Sequence, residues 1–253
     1  MLLDQDMKGI YKIMDDKIHK FKQLVDESNN IVFFGGAGVS TESGIPDFRS
    51  KDGLYNQQYK YPPEEILSHT FFINNTEEFY KFYKEKMNSL KYQPNITHIK
   101  LAELENKGKL KAVITQNIDG LHQKAGSKTV YELHGSVLRN YCMNCHKFYD
   151  AEYIFNSAGI PKCSCGGIIK PDVVLYEEGL NDDTIRDSIL AIQNADMLIV
   201  AGTSLTVQPA SSLINYFRGQ NLVLLNRDTT PYDYKADLVI NDGLGNAFKE
   251  IWF

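Results

Sequence analysis

Three groups of residues in this chain have the types and spacing to do chemistry. Four cysteines form two close pairs, Cys142-x2-Cys145 and Cys163-x-Cys165, seventeen residues apart. Thiolates so arranged suit one tetrahedral Zn²⁺ per chain, and four sulfurs leave no open position, so the ion would be structural. His146, next to Cys145, is a conceivable substitute ligand. A second candidate is His134 in Glu132-Leu133-His134-Gly135-Ser136, because imidazole is the side chain best placed to take a proton near neutrality. Gly135 beside it would permit close approach of a substrate. The third group is Gly35-Gly36-Ala37-Gly38-Val39-Ser40-Thr41, directly after Ile31-Val32-Phe33-Phe34. Glycines after a buried strand let backbone approach a ligand, and a following helix N-terminus favours a pyrophosphate. The dinucleotide fingerprint needs a third glycine where Thr41 stands, so the glycines alone suit a structural turn and a nucleotide loop equally.

The elements that must position these groups read as α/β. Apolar, β-prone runs at Ile31–Phe34, Ala112–Thr115, Thr129–Leu133, Val173–Tyr176, Met197–Ala201, Leu222–Leu225 and Leu238–Ile240 predict strands. Helical spacing predicts helices over 10–27, over Thr76 to Leu90 with Thr76 as N-cap, over Ile96 to Lys107 ending at Gly108, over 183–194, and from Gly245 to Trp252. Strands alternating with helices predict a Rossmann-like, mostly parallel sheet with helices on both faces. Ligands in such sheets sit beyond the carboxyl ends of the strands. The glycine loop, Gln116-Asn117-Ile118-Asp119, Gly202-Thr203-Ser204 and Asn226-Arg227-Asp228 all follow strand ends, which predicts one shared cleft. The expected division is a Rossmann-like domain from 1–50, 96–139 and 171–253, a cofactor loop and helical insertion at 51–95, and a zinc-binding module at 140–170.

These motifs together resemble the sirtuins, NAD-dependent protein-lysine deacylases. The resemblance runs from roughly Ile31 to Gly243 through Gly44-Ile45-Pro46-Asp47-Phe48-Arg49, Thr115-Gln116-Asn117-Ile118-Asp119, Glu132-Leu133-His134-Gly135, Gly202-Thr203-Ser204-Leu205 and Asn226. It implies NAD bound by Gly36, Ala37, Gly38, Ser40, Thr41, Asp47, Phe48, Arg49, Gln116, Asn117, Ile118, Asp119, Gly202, Thr203, Ser204, Asn226 and Asp242. Ile118 and Asp119 would hold the nicotinamide, Gln116 and Asn117 would face its ribose, and Phe48 would shield the reacting centre. Arg49 would hold the phosphates or order the loop. Asn117 and His134 would be catalytic, with His134, rather than His69, His98, His122 or His146, as the base at a ribose hydroxyl. The products would be nicotinamide, free lysine and O-acetyl-ADP-ribose.

On the substrate side, Lys170-Pro171-Asp172-Val173-Val174-Leu175-Tyr176-Glu177-Glu178 resembles the sirtuin segment that adds a strand to an acetyl-lysine-containing protein or peptide, with Val174 and Tyr176 walling the acyl tunnel. The family more often carries Phe and Gly at the positions of Tyr176 and Glu177. Its second cysteine pair is usually spaced like the first. Members that remove acidic acyl groups carry a Tyr followed three positions later by Arg. Here Tyr80 is followed by Tyr83, which implies neutral acyl groups, acetyl first, with Lys81 and Lys84 as nearby cations that bear on this.

The 253 residues suffice for one α/β core with a small second module. Forty-three per cent hydrophobic and 23% charged residues fit a soluble globular chain, and a net charge of −5 argues against a broad nucleic-acid surface. Neither a signal peptide nor a membrane span is legible, and a cytoplasmic monomer is expected. The rival readings are a protein mono-ADP-ribosyltransferase, a non-catalytic NAD or ADP-ribose sensor, and a dehydrogenase.

Overall fold

The protein is described from a computed structural model covering residues 2–47, 53 and 59–251, with side chains from residue 12. Nine strands form two sheets among the described residues. Strands β1 (Ile31–Gly35), β2 (Leu110–Thr115), β3 (Val130–Glu132), β7 (Met197–Ala201), β8 (Asn221–Leu225) and β9 (Leu238–Ile240) make one parallel sheet in the order β3-β2-β1-β7-β8-β9. The order reverses between β1 and β7, and a doubly wound sheet leaves its ligand crevice at such a point. Strands β4 (Gly135–Cys142), β5 (Phe148–Asp150) and β6 (Ile169–Val173) make an antiparallel sheet in the order β5-β4-β6.

The interior strands are continuous apolar runs because both faces are covered. Side chains alternate across β1, so Ile31 and Phe33 point to one face and Val32 and Phe34 to the other. On the first face Ile31, Phe33, Val113 and Val223 meet Phe21, Leu24, Leu101 and Phe248. These come from helices α1 (Leu2–Glu27), α5 (Ile96–Asn106) and α9 (Leu244–Phe248). On the second, Val32, Phe34, Leu198 and Leu224 meet Ile192, Leu213 and Ile214, from α8 (Asp182–Asn194) and a 3-10 helix over Ala210–Tyr216.

A third core lies outside the parallel sheet. It joins Phe71, Phe72, Phe79, Tyr80 and Tyr83 to Val137, Cys142, Ile154, Cys163, Ile169 and Leu175. The aromatic residues come from α3 (His69–Asn74) and α4 (Thr76–Lys86), which follow α2 (Pro63–Ile66). Ile154 comes from α7 (Ala151–Asn156). The helical insertion and the cysteine module therefore share one apolar cluster. Lys84 ties them further, its Nζ donating to the Ser157 and Gly159 carbonyls at 2.7 and 2.6 Å. That position answers the expectation about Lys84: its ammonium closes the end of α7 and does not reach the cleft.

Several local expectations change. The first helix begins at Leu2 rather than 10, α4 ends at Lys86 rather than Leu90, and α9 ends at Phe248. Thr76 is not an N-cap: it is the first residue of α4, and its hydroxyl donates back to the Phe72 carbonyl at 2.7 Å. The strand expected at Val173–Tyr176 lies earlier, over Ile169–Val173. Pro171 is tolerated there because β6 is an edge strand.

Candidate active site

The glycine loop leaves β1 at the switch point and packs against the loop that leaves β7. Gly36 N–H donates to the Ala201 carbonyl at 3.1 Å and Gly38 N–H to the Gly202 carbonyl at 2.8 Å. A Cβ on Gly36 would lie 2.8 Å from Thr203 Cβ, and one on Gly38 would lie 2.7 Å from Gly202 Cα. These glycines are thus required by the contact between two loops, not only by approach to a ligand. Nor does an α-helix follow them. Two 3-10 turns, Ala37–Val39 and Thr41–Ser43, take its place, so the expected helix N-terminus beneath a pyrophosphate is absent among the described residues. Asn95, which caps α5, holds this turn pair through Nδ2 donors to the Val39 carbonyl at 2.7 Å and Ser43 Oγ at 3.0 Å.

Beyond β2 the chain turns through Gln116, Asn117, Ile118 and Asp119 into the short helix α6 (Leu121–Lys124). Three side chains form a chain of hydrogen bonds. Asn117 Nδ2 donates to Ser40 Oγ at 3.0 Å, and Ser40 Oγ donates to Asp119 Oδ2 at 2.6 Å. The other Asp119 oxygen accepts from Leu121 N–H at 2.9 Å. Burial pushes the Asp119 carboxyl up, while the Ser40 and Leu121 donors pull it back. Gln116 Nε2 donates to Thr203 Oγ1 at 3.1 Å, tying this loop to the β7 loop.

His134 stands between β3 and β4. Its Nδ1 lies 2.9 Å from the Gln116 carbonyl oxygen. A carbonyl only accepts, so Nδ1 carries the proton and Nε2 keeps its lone pair. Burial lowers the affinity of this imidazole for a second proton, against the opposing pull of the Gln116 carbonyl. His134 is therefore a neutral base at physiological pH. Gly135 follows at φ 74, where an added Cβ would lie 2.0 Å from the Asp172 carbonyl oxygen. The close approach it permits is that of β6, rather than a substrate.

The loops after β1, β2 and β7 and His134 border one cavity of about 540 Å³, within the range of small-molecule sites. Gly36, Ala37, Gly38, Ser40, Thr41, Asp47, Gln116, Asn117, Ile118, Asp119, His134, Val174, Tyr176, Gly202, Thr203, Ser204, Asn226 and Asp242 line it. Phe48 and Arg49 lie outside the described residues. Asp242 accepts from Gly243 N–H at 2.7 Å and from Asn246 Nδ2, so part of its capacity is spent on the start of α9. Tyr176 is paired to the α2–α3 connection through its own N–H to the Leu67 carbonyl at 2.9 Å and its carbonyl to His69 N–H at 3.0 Å.

Lining residues that sequence reasoning missed include Lys86, Met87, Asn88 and Tyr92, all near the end of the insertion. They carry no motif, and the aromatic richness of that stretch was the only signal. Tyr83 borders the cavity, whereas Tyr80 does not: its hydroxyl donates to the Ile169 carbonyl inside the third core. Lys81 is also absent from the cavity wall, and the cations that line it are Lys86, 2.9 Å from Glu85, and Arg227.

The four cysteines converge at the far end of β4. Cys142 Sγ lies 3.4 Å from Cys165 Sγ, and Cys145 Sγ lies 3.5 Å from both Cys163 and Cys165 Sγ, with all four sulfurs within 4.8 Å of one another. Sulfurs bound tetrahedrally to zinc at about 2.3 Å stand about 3.8 Å apart, so this set fits the ion. The shortened Cys163-Ser164-Cys165 pair still converges, helped by Gly166 at φ 87 and by Cys163 N–H donating to the Gly167 carbonyl at 2.8 Å. His146 is not part of the cluster.

Comparison with known proteins agrees with this geometry. The family model described as the Sir2 family matches residues 36–209. The chain is 62% identical over 242 residues to an NAD-dependent protein deacetylase of Clostridium perfringens, covering 94% of this chain and 99% of that protein. It is 44% identical over 241 residues to an NAD-dependent protein deacetylase of Staphylococcus aureus, again 94% and 99%. A solved structure of a Sir2 histidine-to-alanine variant, with deacetylated p53 peptide and 3'-O-acetyl ADP-ribose, superposes with a TM-score of 0.85 at 42% identity, covering 92% of this chain and 96% of that one. A second, of Sir2 with p53 peptide and NAD+, gives 0.82 at 41% identity, with 93% and 97% covered. With the family model matching most of the chain and relatives this similar end to end, the chain belongs to the Sir2 family.

Proposed function

We propose that this protein is an NAD-dependent protein-lysine deacetylase acting on acetyl-lysine-containing proteins and peptides. The observation that carries the reading is one cavity holding both the Asn117–Ser40–Asp119 chain and a neutral His134, in a chain whose relatives are NAD-dependent protein deacetylases along almost their whole length. Bound NAD supplies an electrophilic ribose carbon with nicotinamide as leaving group, and ADP-ribose as the acceptor of the acetyl group.

The chain's own residues divide the remaining work. Asp119, partly buried beside Ile118, accepts from the nicotinamide amide, and the Ser40 hydroxyl favours its carboxylate form against the burial that raises its pKa. Asn117 and Gln116 orient the ribose. His134 Nε2 takes the proton of a ribose hydroxyl, and its Nδ1–H on the Gln116 carbonyl holds the ring in the tautomer this needs. Gly36, Ala37, Gly38, Thr41, Asp47, Gly202, Thr203, Ser204, Asn226 and Asp242 hold the rest of the dinucleotide, with Phe48 covering the centre and Arg49 on the phosphates. Val174 and Tyr176 flank the acyl-lysine. The cysteines Cys142, Cys145, Cys163 and Cys165 hold a structural zinc. Neutral acyl groups are preferred, because uncharged Tyr83 borders the cavity, Lys84 is engaged at the end of α7 and Lys86 is paired with Glu85.

The proposed division is a Rossmann-like domain from 1–50, 96–139 and 171–253, an insertion at 51–95 and a zinc module at 140–170. Among the described residues no helix is long and apolar enough to cross a membrane. A cytoplasmic monomer without nucleic-acid partners completes the proposal.

Mass spectrometry of the products from an acetyl-lysine peptide and NAD tests it, with His134→Ala alongside. Deacetylated peptide, nicotinamide and O-acetyl-ADP-ribose, all lost in the variant, are expected. ADP-ribose on protein without deacetylation would replace the reading with the transferase, and binding of NAD without turnover would replace it with the sensor.

A further inference from the structure

One residue on the wall of the cavity holds a backbone conformation that its side chain disfavours. Glu177 has φ 76, in the left-handed region natural to glycine. Such conformations persist where the surroundings impose them, and they concentrate at ligand clamps. Its neighbours impose it here. Tyr176 is hydrogen-bonded on both its N–H and its carbonyl to Leu67 and His69, and Thr70 N–H donates to Glu177 Oε2 at 2.9 Å.

The adjacent carboxylate is treated differently. Glu178 receives His69 Nδ1 at 2.8 Å, Lys170 Nζ at 3.1 Å and Leu175 N–H at 2.9 Å, so its charge is spent inside the protein. Glu177 is exposed, lines the same cavity as His134 and Val174, and is held by the Thr70 N–H and hydroxyl, with the His69 imidazole as the nearby group that can carry positive charge. The Thr70 hydrogen bonds hold its carboxyl below the usual carboxylate range, so it carries a full negative charge at neutral pH. Tyr176, the preceding residue, is a part-exposed aromatic on the same wall. A carboxylate and an aromatic ring both hold an ammonium or guanidinium, by a charge-assisted hydrogen bond and by the ring's quadrupole.

We propose that Glu177 is a specificity-determining residue that selects substrates with a cationic side chain, arginine or lysine, flanking the acyl-lysine. The inference rests on the deacetylase reading only for the identity of the central lysine. An exposed ion pair is modest and salt-sensitive, so the expected selectivity is about two- to five-fold, shrinking at high ionic strength.

The test uses two fluorescent acetyl-lysine peptides that differ only in having arginine or glutamate on both flanks. Their dissociation constants are measured by anisotropy at low and high salt, and their kcat/KM values in parallel, for the wild type, Glu177→Gln and Glu177→Lys. Glutamine keeps an oxygen for Thr70 N–H and removes the charge, so a role limited to bracing α3 would leave the arginine-to-glutamate ratio unchanged. The expected result is tighter arginine peptide in the wild type, a ratio near one in Glu177→Gln, and an inverted ratio in Glu177→Lys. Equal ratios in the three proteins would overturn the proposal. Charge-selective binding that follows Glu177 but yields no deacetylated peptide would uphold it and refute the deacetylase reading alone. Ratios are compared within each protein, so a general loss of activity does not enter the result.

Discussion

Replacing Gly135 with alanine is expected to damage stability and activity together. The residue follows His134 and starts β4, and its backbone is left-handed at φ 74. An added Cβ would lie 2.0 Å from the Asp172 carbonyl oxygen, whereas real Cβ contacts essentially never fall below 3.0 Å, so β6 must retreat by at least 3.0 − 2.0 = 1.0 Å. The conformation itself costs alanine about 1–2 kcal/mol. The retreat also loosens the Gly135–Val173 pairing and the Val174 N–H to His134 carbonyl bond, now 3.0 Å, at about 1 kcal/mol each. A total near 3 kcal/mol in a chain of this length lowers the Tm by about 6–12 °C. The same retreat shifts Val174, whose N–H holds the backbone carbonyl of His134, and a misplacement of the base by about 1 Å can cost on the order of 100-fold in rate. Calorimetry and the nicotinamide-release assay read the two effects. A variant within 2 °C of wild type and within threefold in kcat/KM, thresholds set by about half a kcal/mol of residual effect, would refute the idea that β6 fixes the base through this glycine.

Three further perturbations have defined outcomes. Ser40→Ala removes the donor to Asp119 and the acceptor of Asn117, bonds worth roughly 1.5–3 kcal/mol when one partner is charged, so kcat/KM should fall about 10- to 100-fold. The lost hydrogen bond favoured the carboxylate, so its proton affinity rises and the acid limb of the pH–rate profile should move to higher pH; an unmoved limb would disprove the role given to Ser40. Chelation of the metal should release one zinc per chain by elemental analysis and lower both Tm and activity, since Cys142 and Cys163 belong to the core that carries α4, with recovery on adding Zn²⁺. Full stability of the metal-free chain would contradict this. Burial lowers the pKa of His98 to about 4 from 6.5 and that of His122 well below its usual value. Both histidines are neutral when folded and take up protons on unfolding, so stability should fall as pH drops from 6.5 towards 4, by about 3 kcal/mol from His98. Neither ring nitrogen of His122 has a described partner, so His122→Leu should flatten the Tm–pH slope without lowering the Tm at pH 7; an unchanged slope would count against the linkage.

The parallel strands were legible because they are buried on both faces and so read as uninterrupted apolar runs, as in Ile31–Phe34 and Met197–Ala201. The cleft was legible because each motif directly follows such a run, and a doubly wound sheet gathers those ends at one place. Short elements were not legible. Helices α2, α3, α6 and α7 have four to six residues, too few to display a period, and they hold only by docking on neighbours. The Thr76 expectation failed for a related reason: cap and first-turn positions differ by one residue, and the preceding Asn75 stands at the cap.

Residue types and spacing by themselves determined which groups could act: four thiols for a metal, an imidazole for a proton, and glycines and polar residues at strand ends for a dinucleotide. These are local properties, carried by the identity of each residue and its distance along the chain from the nearest strand. Only the tertiary structure decided how the groups are used. It pairs Ser40 with Asp119, 79 residues away, and donates His134 Nδ1–H to the Gln116 carbonyl, which leaves Nε2 as the base. Within one core it sets Tyr83 against the cavity wall and Tyr80 away from it, engages Lys84 at α7, and leaves Glu177 exposed while Glu178 is neutralised. Such choices depend on contacts between residues far apart in sequence, where burial and partners set protonation, tautomer and orientation. A linear pattern carries no term for them.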